Sequence, residues 1–203
     1  MFTGIVSEVG TVATTTPAGG GASFTIAAPQ TCVGLAIGDS VAVNGVCLTA
    51  VAVAGGRFSV EAVSETLQRT NLGDLREGSV VDLERPVEAA GGRFDGHVVQ
   101  GHVDGVGSVQ SIESEGTSKR IRISVHPGLA RYLVEKGSVT VDGVSLTITA
   151  VSPVADPVPW FEIVLIPHTL DVTVLGVRAV GGLVNLEVDI LAKYVERLME
   201  ARG

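Results

Sequence analysis

The chain repeats itself, and this duplication limits its possible folds more than any other feature. Val9-Gly10-Thr11-Val12 recurs 97 residues later as Val106-Gly107-Ser108-Val109, and Asn44-Gly45-Val46-Cys47-Leu48-Thr49 recurs 98 residues later as Asp142-Gly143-Val144-Ser145-Leu146-Thr147. Thr66-Leu67, Thr70, Leu72-Gly73, Gly78, Val81 and Leu83-Glu84 match Thr169-Leu170, Thr173, Leu175-Gly176, Gly181, Val184 and Leu186-Glu187, now 103 residues apart. A spacing that grows only by short insertions means one domain written twice. Two copies are too few for a solenoid, so each must close its own core. The junction falls around Gly91-Gly92-Arg93-Phe94-Asp95-Gly96, a Gly-rich stretch suited to a linker. This gives units 1–96 and 97–188 and a tail, 189–203.

Val dominates the apolar residues, aromatic residues are only 4%, and 26 Gly punctuate short apolar runs, which is the pattern of many short strands with tight turns. Short strands expose edges, and the economical way to hide them is a small antiparallel barrel. The expected fold class is therefore mainly β. Helical signals are few. Pro127 to Gly137, with Pro at the first helical position and Gly past the end, predicts a short helix, with a weaker counterpart over Thr31 to Gly38. In the tail, Ile190, Leu191, Tyr194, Val195, Leu198 and Met199 form one apolar stripe behind an Asp189 cap. That helix either folds back on its own barrel or packs against the same helix of another subunit.

A net charge of −8 without a basic block argues against nucleic acid and against an anionic membrane surface. The chain is 45% hydrophobic, but every apolar run breaks well short of the ~20 residues of a bilayer span. The start, Met1 to Val6, lacks the basic and apolar regions of a secretory signal, so a soluble cytoplasmic chain is expected. Cys32 and Cys47 form no C-x-x-C pair and read as free thiols, with no zinc site. His97 and His102 fall on opposite faces of an extended strand with no third ligand nearby, so no metal is expected. Gly105-Val106-Gly107 lacks the third Gly of a dinucleotide fingerprint.

Asn44-Gly45 and Asp142-Gly143 predict type I′ hairpins, which fix a register. Val41, Val43, Val46 and Leu48 then share one face; Ser40, Ala42, Cys47 and Thr49 share the other. In the second repeat Val139, Val141, Val144 and Leu146 oppose Ser138, Thr140, Ser145 and Thr147. Hydroxyl-rich faces are ordinary on solvated strands. These lack Lys, Glu and Arg, however, which better suits a polyhydroxylated or heteroaromatic ligand. Cys47 reads either as an inert small hydrophobe or as a nucleophile. His102, which replaces Ile5 of the first repeat, reads either as a packing residue or as a proton-transfer group.

Met1-Phe2-Thr3-Gly4-Ile5-Val6, Asn44 to Thr49, Glu65-Thr66-Leu67 with Thr70 to Asp74, Gly96-His97 to Gly101-His102-Val103, Asp142 to Thr147, and Leu165 to Leu170 occur in this order along the chain. Together they resemble the riboflavin synthase family, enzymes made of two lumazine-binding repeats. The resemblance implies two six-stranded Greek-key barrels and a C-terminal helix that assembles a homotrimer. It implies a transferase without cofactor, which dismutates two molecules of 6,7-dimethyl-8-ribityllumazine into riboflavin and 5-amino-6-ribitylaminouracil. The site would lie between the first barrel of one subunit and the second barrel of its neighbour. Ligand contacts carry over to Gly4, Ile5, Val6, Cys47, Leu48 and Thr49, and to Glu61, Ala62, Val63, Ser64, Glu65 and Thr66. In the second repeat they carry over to Gly101, His102, Val103, Lys136, Ser145, Leu146 and Thr147, and to Val164, Leu165, Ile166, Pro167, His168 and Thr169.

A reaction joining two copies of one substrate gives the duplication a reason, since two like pockets would hold the reactants close. His102 would assist proton loss from the C7 methyl of one lumazine, and Cys47 or Ser40 would add to the other or place a water that does. Phe2 joins these as a fourth catalytic candidate. Val46 stands where some relatives carry a second Cys, and His168 where others carry Glu. The rival reading is a non-catalytic lumazine- or flavin-binding protein on the same fold; retention of Phe2, Ser40, Cys47 and His102 argues for the enzyme.

Overall fold

Each repeat winds six strands into a closed antiparallel barrel. In the computed structural model, which describes residues 1–88, 90, 92–153 and 156–201, the first barrel consists of β1 (Glu8–Ala18), β2 (Gly21–Ala27), β3 (Ser40–Val43), β4 (Val46–Ala54), β5 (Arg57–Ala62) and β6 (Val80–Glu84). The second consists of β7 (Gly105–Glu115), β8 (Ser118–Ser124), β9 (Ser138–Val141), β10 (Val144–Val151), β11 (Trp160–Leu165) and β12 (Leu183–Val188). Around the first barrel the order is β1-β2-β5-β4-β3-β6, and the second repeats this Greek-key order strand for strand. Bulges repeat too: the pairing skips Ala13 and Val51 in one barrel, Gln110 and Thr149 in the other. An extra unpaired residue bends a strand sharply, which is what lets so few strands close.

The hairpins have the expected register, with Ala42 opposite Cys47 and Thr140 opposite Ser145. Asn44 and Gly45 have φ of +45° and +75°, Asp142 and Gly143 +47° and +88°, as a type I′ turn requires. Val41, Val43, Val46 and Leu48 are buried in the first core, and Val139, Val141 and Val144 in the second.

The helices are shorter than the sequence predicts. Besides α1 (Ser64–Arg69) and α3 (Pro167–Val172), the stretch 127–137 yields only one turn, α2 (Pro127–Ala130). Pro127 does start it, but beyond Ala130 the bonds tighten to Tyr132 N to Leu129 O (3.0 Å) and Leu133 N to Ala130 O (3.1 Å). The cause lies downstream: Lys136 must donate to Ile148 O (2.8 Å) to lead into β9, and it, not Gly137, takes the left-handed φ of +67°. The counterpart over Thr31 to Gly38 forms turns and no helix. Of the proposed linker, Gly91 lies outside the described residues, as do Arg202 and Gly203 of the tail.

The terminal helix α4 (Ile190–Glu200) begins as expected, Asp189 accepting from Leu191 N at 2.9 Å. Its polar side docks on the second barrel through Lys193 to Asp104 (2.6 Å), Arg131 to Glu196 (2.8 Å) and a Tyr132 to Glu196 hydrogen bond. Leu191, Tyr194, Val195, Leu198 and Met199 point away, each between 56% and 68% exposed. Among the described residues no helix is long and apolar enough to cross a membrane.

The barrels meet across a pseudo-twofold seam. Phe2 and Val99 exchange backbone hydrogen bonds of 2.8 and 3.1 Å, and the Gly45 and Gly143 turns pack so closely that a Cβ on either would meet backbone within 3 Å. Buried polar side chains at the seam bond in matched pairs, the first across it and the second within each barrel. Asn71 N donates to Asn185 Oδ1 (2.7 Å) and Val174 N to Asp82 Oδ1 (2.9 Å); Asp82 N donates to Asn44 Oδ1 and Asn185 N to Asp142 Oδ1, both at 2.8 Å. Asp142 also takes Asn71 Nδ2 (2.7 Å) and Arg178 Nη2 (2.6 Å). One match fails. Asn185 Nδ2 donates to Asn44 O (2.8 Å), whereas the equivalent atom, Asp82 Oδ2, has no partner among the described residues.

An ionised carboxylate could not donate there, and a neutral acid could. Burial pushes the Asp82 carboxyl up to about 8; the nearby Asp142 charge adds to this, while Val174 N–H and Arg178 oppose it. The fold thus holds a proton that the unfolded chain releases near pH 4, so this group's contribution to stability falls as pH rises from about 4 to about 8. Asp82→Asn, which supplies the missing N–H donor, should therefore gain stability over the parent increasingly from pH 5 to pH 9 in urea unfolding. A difference independent of pH would mean that Asp82 is ionised throughout.

Candidate functional site

Cys47 lies one residue beyond a tight turn, on the hydroxyl-rich face of β4 and half-buried. The chain that covers it comes from the other repeat. Cys47 N donates to Gly101 O at 2.9 Å, and the segment 100–102 hangs from the second barrel by the Glu187 carboxylate, which accepts from Gln100 N (2.7 Å) and His102 N (2.9 Å). The mirror image holds at the other pocket. Ser145 N donates to Gly4 O at 2.7 Å, and Glu84 accepts from Thr3 N (2.7 Å), Thr3 Oγ1 (2.9 Å) and Gly4 N (2.9 Å). Each barrel therefore lends its leading segment to its twin. Val103 packs against the first core and Val6 against the second.

Glycine is required at the crossing. Gly4 and Gly101 both have φ of +77°, and a Cβ on either would stand 2.6 Å from the Cβ of Ser145 or Cys47. Glu84 and Glu187 are buried, which raises both carboxyls, while the backbone N–H groups that they hold pull them back.

The first pocket, of about 220 Å³, is lined by Cys47, Thr66, Arg69, Thr70, Gly101, His102 and Val103, with Glu65 at its edge ion-paired to Arg69. Glu61 to Thr66 run from the end of β5 into α1, and Val164 to Thr169 from β11 into α3, whose first residue is Pro167. His102 is exposed at the rim. Carried across by the repeat, the second pocket has Ser145 for Cys47, Ile5 for His102, His168 for Glu65 and Val172 for Arg69. The first pocket thus holds the thiol, the His102 imidazole and the ion pair.

Gly4, Ile5 and Val6 stand with Ser145, not with Cys47, so the ligand contacts expected from residues near in sequence divide across the barrels. Thr49 and Thr147 are exposed beside the two patches, and Ser40, opposite Thr49, is half-buried and diagonal to Cys47. Leu48, Ala62 and Leu165 turn their side chains into the cores, and Leu146 packs against the second, which leaves their backbone to meet a ligand. Glu61, Val63, Ser64, Ile166 and His168 are exposed, Val164 is half-buried, and Lys136 sits exposed in the turn before β9. Phe2 is fully buried with Ala42 and Val99, and Cys47 packs on this cluster. Phe2 thus sets the floor beneath Cys47.

Sequence reasoning gave His97 no role, yet its Nδ1 lies 2.7 Å from Ser145 Oγ and its Nε2 3.3 Å from Thr140 Oγ1. The repeat provides no signal for it, because Met1 already aligns with Val98. Among the described residues no three or more His, Cys, Asp or Glu side chains converge as metal ligands.

The model of the lumazine binding domain matches residues 3–86 and again 100–189. Riboflavin synthase of Mycobacterium tuberculosis is 50% identical over 204 residues, covering all of both chains. Those of Actinobacillus pleuropneumoniae and Bacillus subtilis are 44% and 42% identical over 98% of this chain and 90% of theirs. Among solved structures, LumP complexed with riboflavin superposes with a TM-score of 0.80 at 25% identity, covering 93% of this chain and 99% of that one.

Gly101→Ala should cost more stability than Gly116→Ala, by several degrees in thermal melting. Both positions have positive φ, whose strain is worth about 1–3 kcal/mol, but a Cβ at Gly116 meets nothing within 4 Å. Equal losses would show that the approach to Cys47 relaxes freely.

Proposed function

The chain belongs to the riboflavin synthase family of duplicated lumazine binding domains, and we propose that it dismutates two 6,7-dimethyl-8-ribityllumazine molecules into riboflavin and 5-amino-6-ribitylaminouracil. The observation that carries this reading is the matched pair of hairpin faces at Cys47 and Ser145, each covered by the other barrel's leading segment. Two copies of one substrate need two like sites, and holding them together supplies much of the rate.

Within this reading the chemistry makes two demands. Proton loss from the C7 methyl of one lumazine needs a base at a pocket rim, and the His102 imidazole stands there. The acceptor lumazine needs an addition to its ring by the Cys47 thiol, or by a water held between Cys47 and Ser40. Phe2 acts by packing beneath Cys47. Thr49 and Thr147 flank the pockets, where their hydroxyls and neighbouring backbone groups suit the ribityl chain and the pyrimidinedione edge.

The site is completed by a second subunit. A pocket of about 220 Å³ at Cys47 falls below the range of about 300–1,000 Å³ typical of small-molecule sites. The outward stripe of α4 fits a helix-mediated homotrimer in which the first barrel of one subunit faces the second barrel of the next. The units of such an assembly are 1–96 and 97–188, with 189–203 as the oligomerising tail, and the protein works in the cytoplasm without a cofactor.

Purified protein given only the lumazine should form one riboflavin for every two lumazines consumed, quantified chromatographically. Tight binding without riboflavin would move the chain to the non-catalytic binders. Leu198→Lys with Tyr194→Lys should lower the sedimentation mass to that of one chain and abolish turnover. Mixing Cys47→Ser chains with Ser145→Ala chains should restore part of the activity, because some sites then join two intact halves. No recovery despite proven subunit exchange would place the site within one chain.

A further inference from the structure

The two pockets differ in one element that the duplication does not copy. His97 lies in the connection between the barrels, wedged against the first barrel's leading segment: its N–H donates to Thr3 O at 3.1 Å, and a Cβ on Gly96 would stand 1.9 Å from Thr3 O and 3.1 Å from Ser145 Cβ. So placed, the half-buried imidazole spans two hydroxyls, Ser145 Oγ at 2.7 Å through Nδ1 and Thr140 Oγ1 at 3.3 Å through Nε2. The Cys47 side chain packs instead on the apolar cluster of Phe2, Ala42 and Val99.

We propose that His97 is a positioning residue of the second pocket, whose Nδ1 takes the hydrogen bond of the Ser145 hydroxyl and so turns the Ser145 oxygen lone pairs toward the bound lumazine. Nε2–H then donates to Thr140 Oγ1, which fixes the tautomer. A free Ser hydroxyl rotates among three staggered positions and serves as donor or acceptor alike; one held at 2.7 Å presents a single face. Burial favours the neutral imidazole that this arrangement needs, pushing His97 below the ordinary histidine value, with Asp189 partly opposing. The second pocket thereby offers a fixed acceptor, while the first offers a thiol packed on apolar side chains. The two copies of the substrate thus meet unlike partners at the same position of the repeat.

This rests on the reading of both pockets as lumazine sites, so the test has two readouts: the lumazine dissociation constant, by fluorescence titration, and kcat and KM for riboflavin formation. Ser145→Ala and His97→Ala should each lower kcat/KM about tenfold, of the order of one hydrogen bond. The double variant should lose about tenfold as well, since both changes remove one oriented hydroxyl. His97→Asn, whose Oδ1 stands where Nδ1 stood, should recover most of the loss. A hundredfold loss in the double variant, or a full effect of His97→Ala in the Ser145→Ala background, would overturn the proposal in favour of a structural role. Should His97→Ala fail to fold, His97→Gln, whose amide reaches the Nε2 position and not Nδ1, takes its place in the cycle. A parent that binds lumazine without turnover would refute the catalytic reading alone, and the same cycle in dissociation constants would still decide His97. A parent that does not bind lumazine overturns both.

Discussion

Two buried carboxylates hold this molecule in its working shape. Glu84 and Glu187 sit on the last strand of each barrel and grip the backbone N–H groups of 3–4 and 100–102. A carboxylate that accepts from the backbone is a strong, directional tether, and it aims each segment across the seam. There the carbonyls of Gly101 and Gly4 take the N–H groups of Cys47 and Ser145. The barrels are consequently not beads on a string: neither pocket has a wall without the other barrel, and a hinge at the seam would open both.

The seam adds specificity of orientation. Its polar side chains pair across the twofold, so a slipped or rotated docking would leave several buried donors unpartnered, at a cost of about 1–3 kcal/mol each. Duplication makes such an interface simple to build and hard to perfect, because equivalent atoms face inequivalent partners. Asp82 shows the residue of that mismatch, and Arg178 shows a repair, since it pairs with Asp142 where the first repeat has no counterpart ion pair. The same loss of symmetry reaches the two hairpin faces. Cys47, His102 and the Glu65–Arg69 pair fall on one side, Ser145, Ile5 and the His97 contact on the other. Two identical sites could bind two copies of a substrate but would give them no reason to react in different senses.

The terminal helix sits in the same logic. Its polar residues anchor it to the second barrel and leave its apolar residues facing outward. Of the two alternatives read from its sequence, folding back is the one these contacts make, and the outward apolar stripe is the face on which the proposed subunit packing would act.

Much was fixed by local chemistry. The Asn-Gly and Asp-Gly turns set the hairpin register because only positive φ at two successive positions closes a two-residue loop, and the register decided which side chains share a face with Cys47 and Ser145. The repeat established two barrels, and Asp189 marked the start of α4. The short α2 escaped notice because a contact distant in sequence, Lys136 N to Ile148 O, ends it. The exchange of leading segments escaped for the same reason, as did the burial of Phe2 and the contact of His97 with Ser145. All depend on how two closed surfaces dock. Periodicity and turn chemistry act over a few residues and can be read along the chain, but docking is decided by shape and by hydrogen bonds between residues far apart in sequence, for which a single sequence carries no pattern.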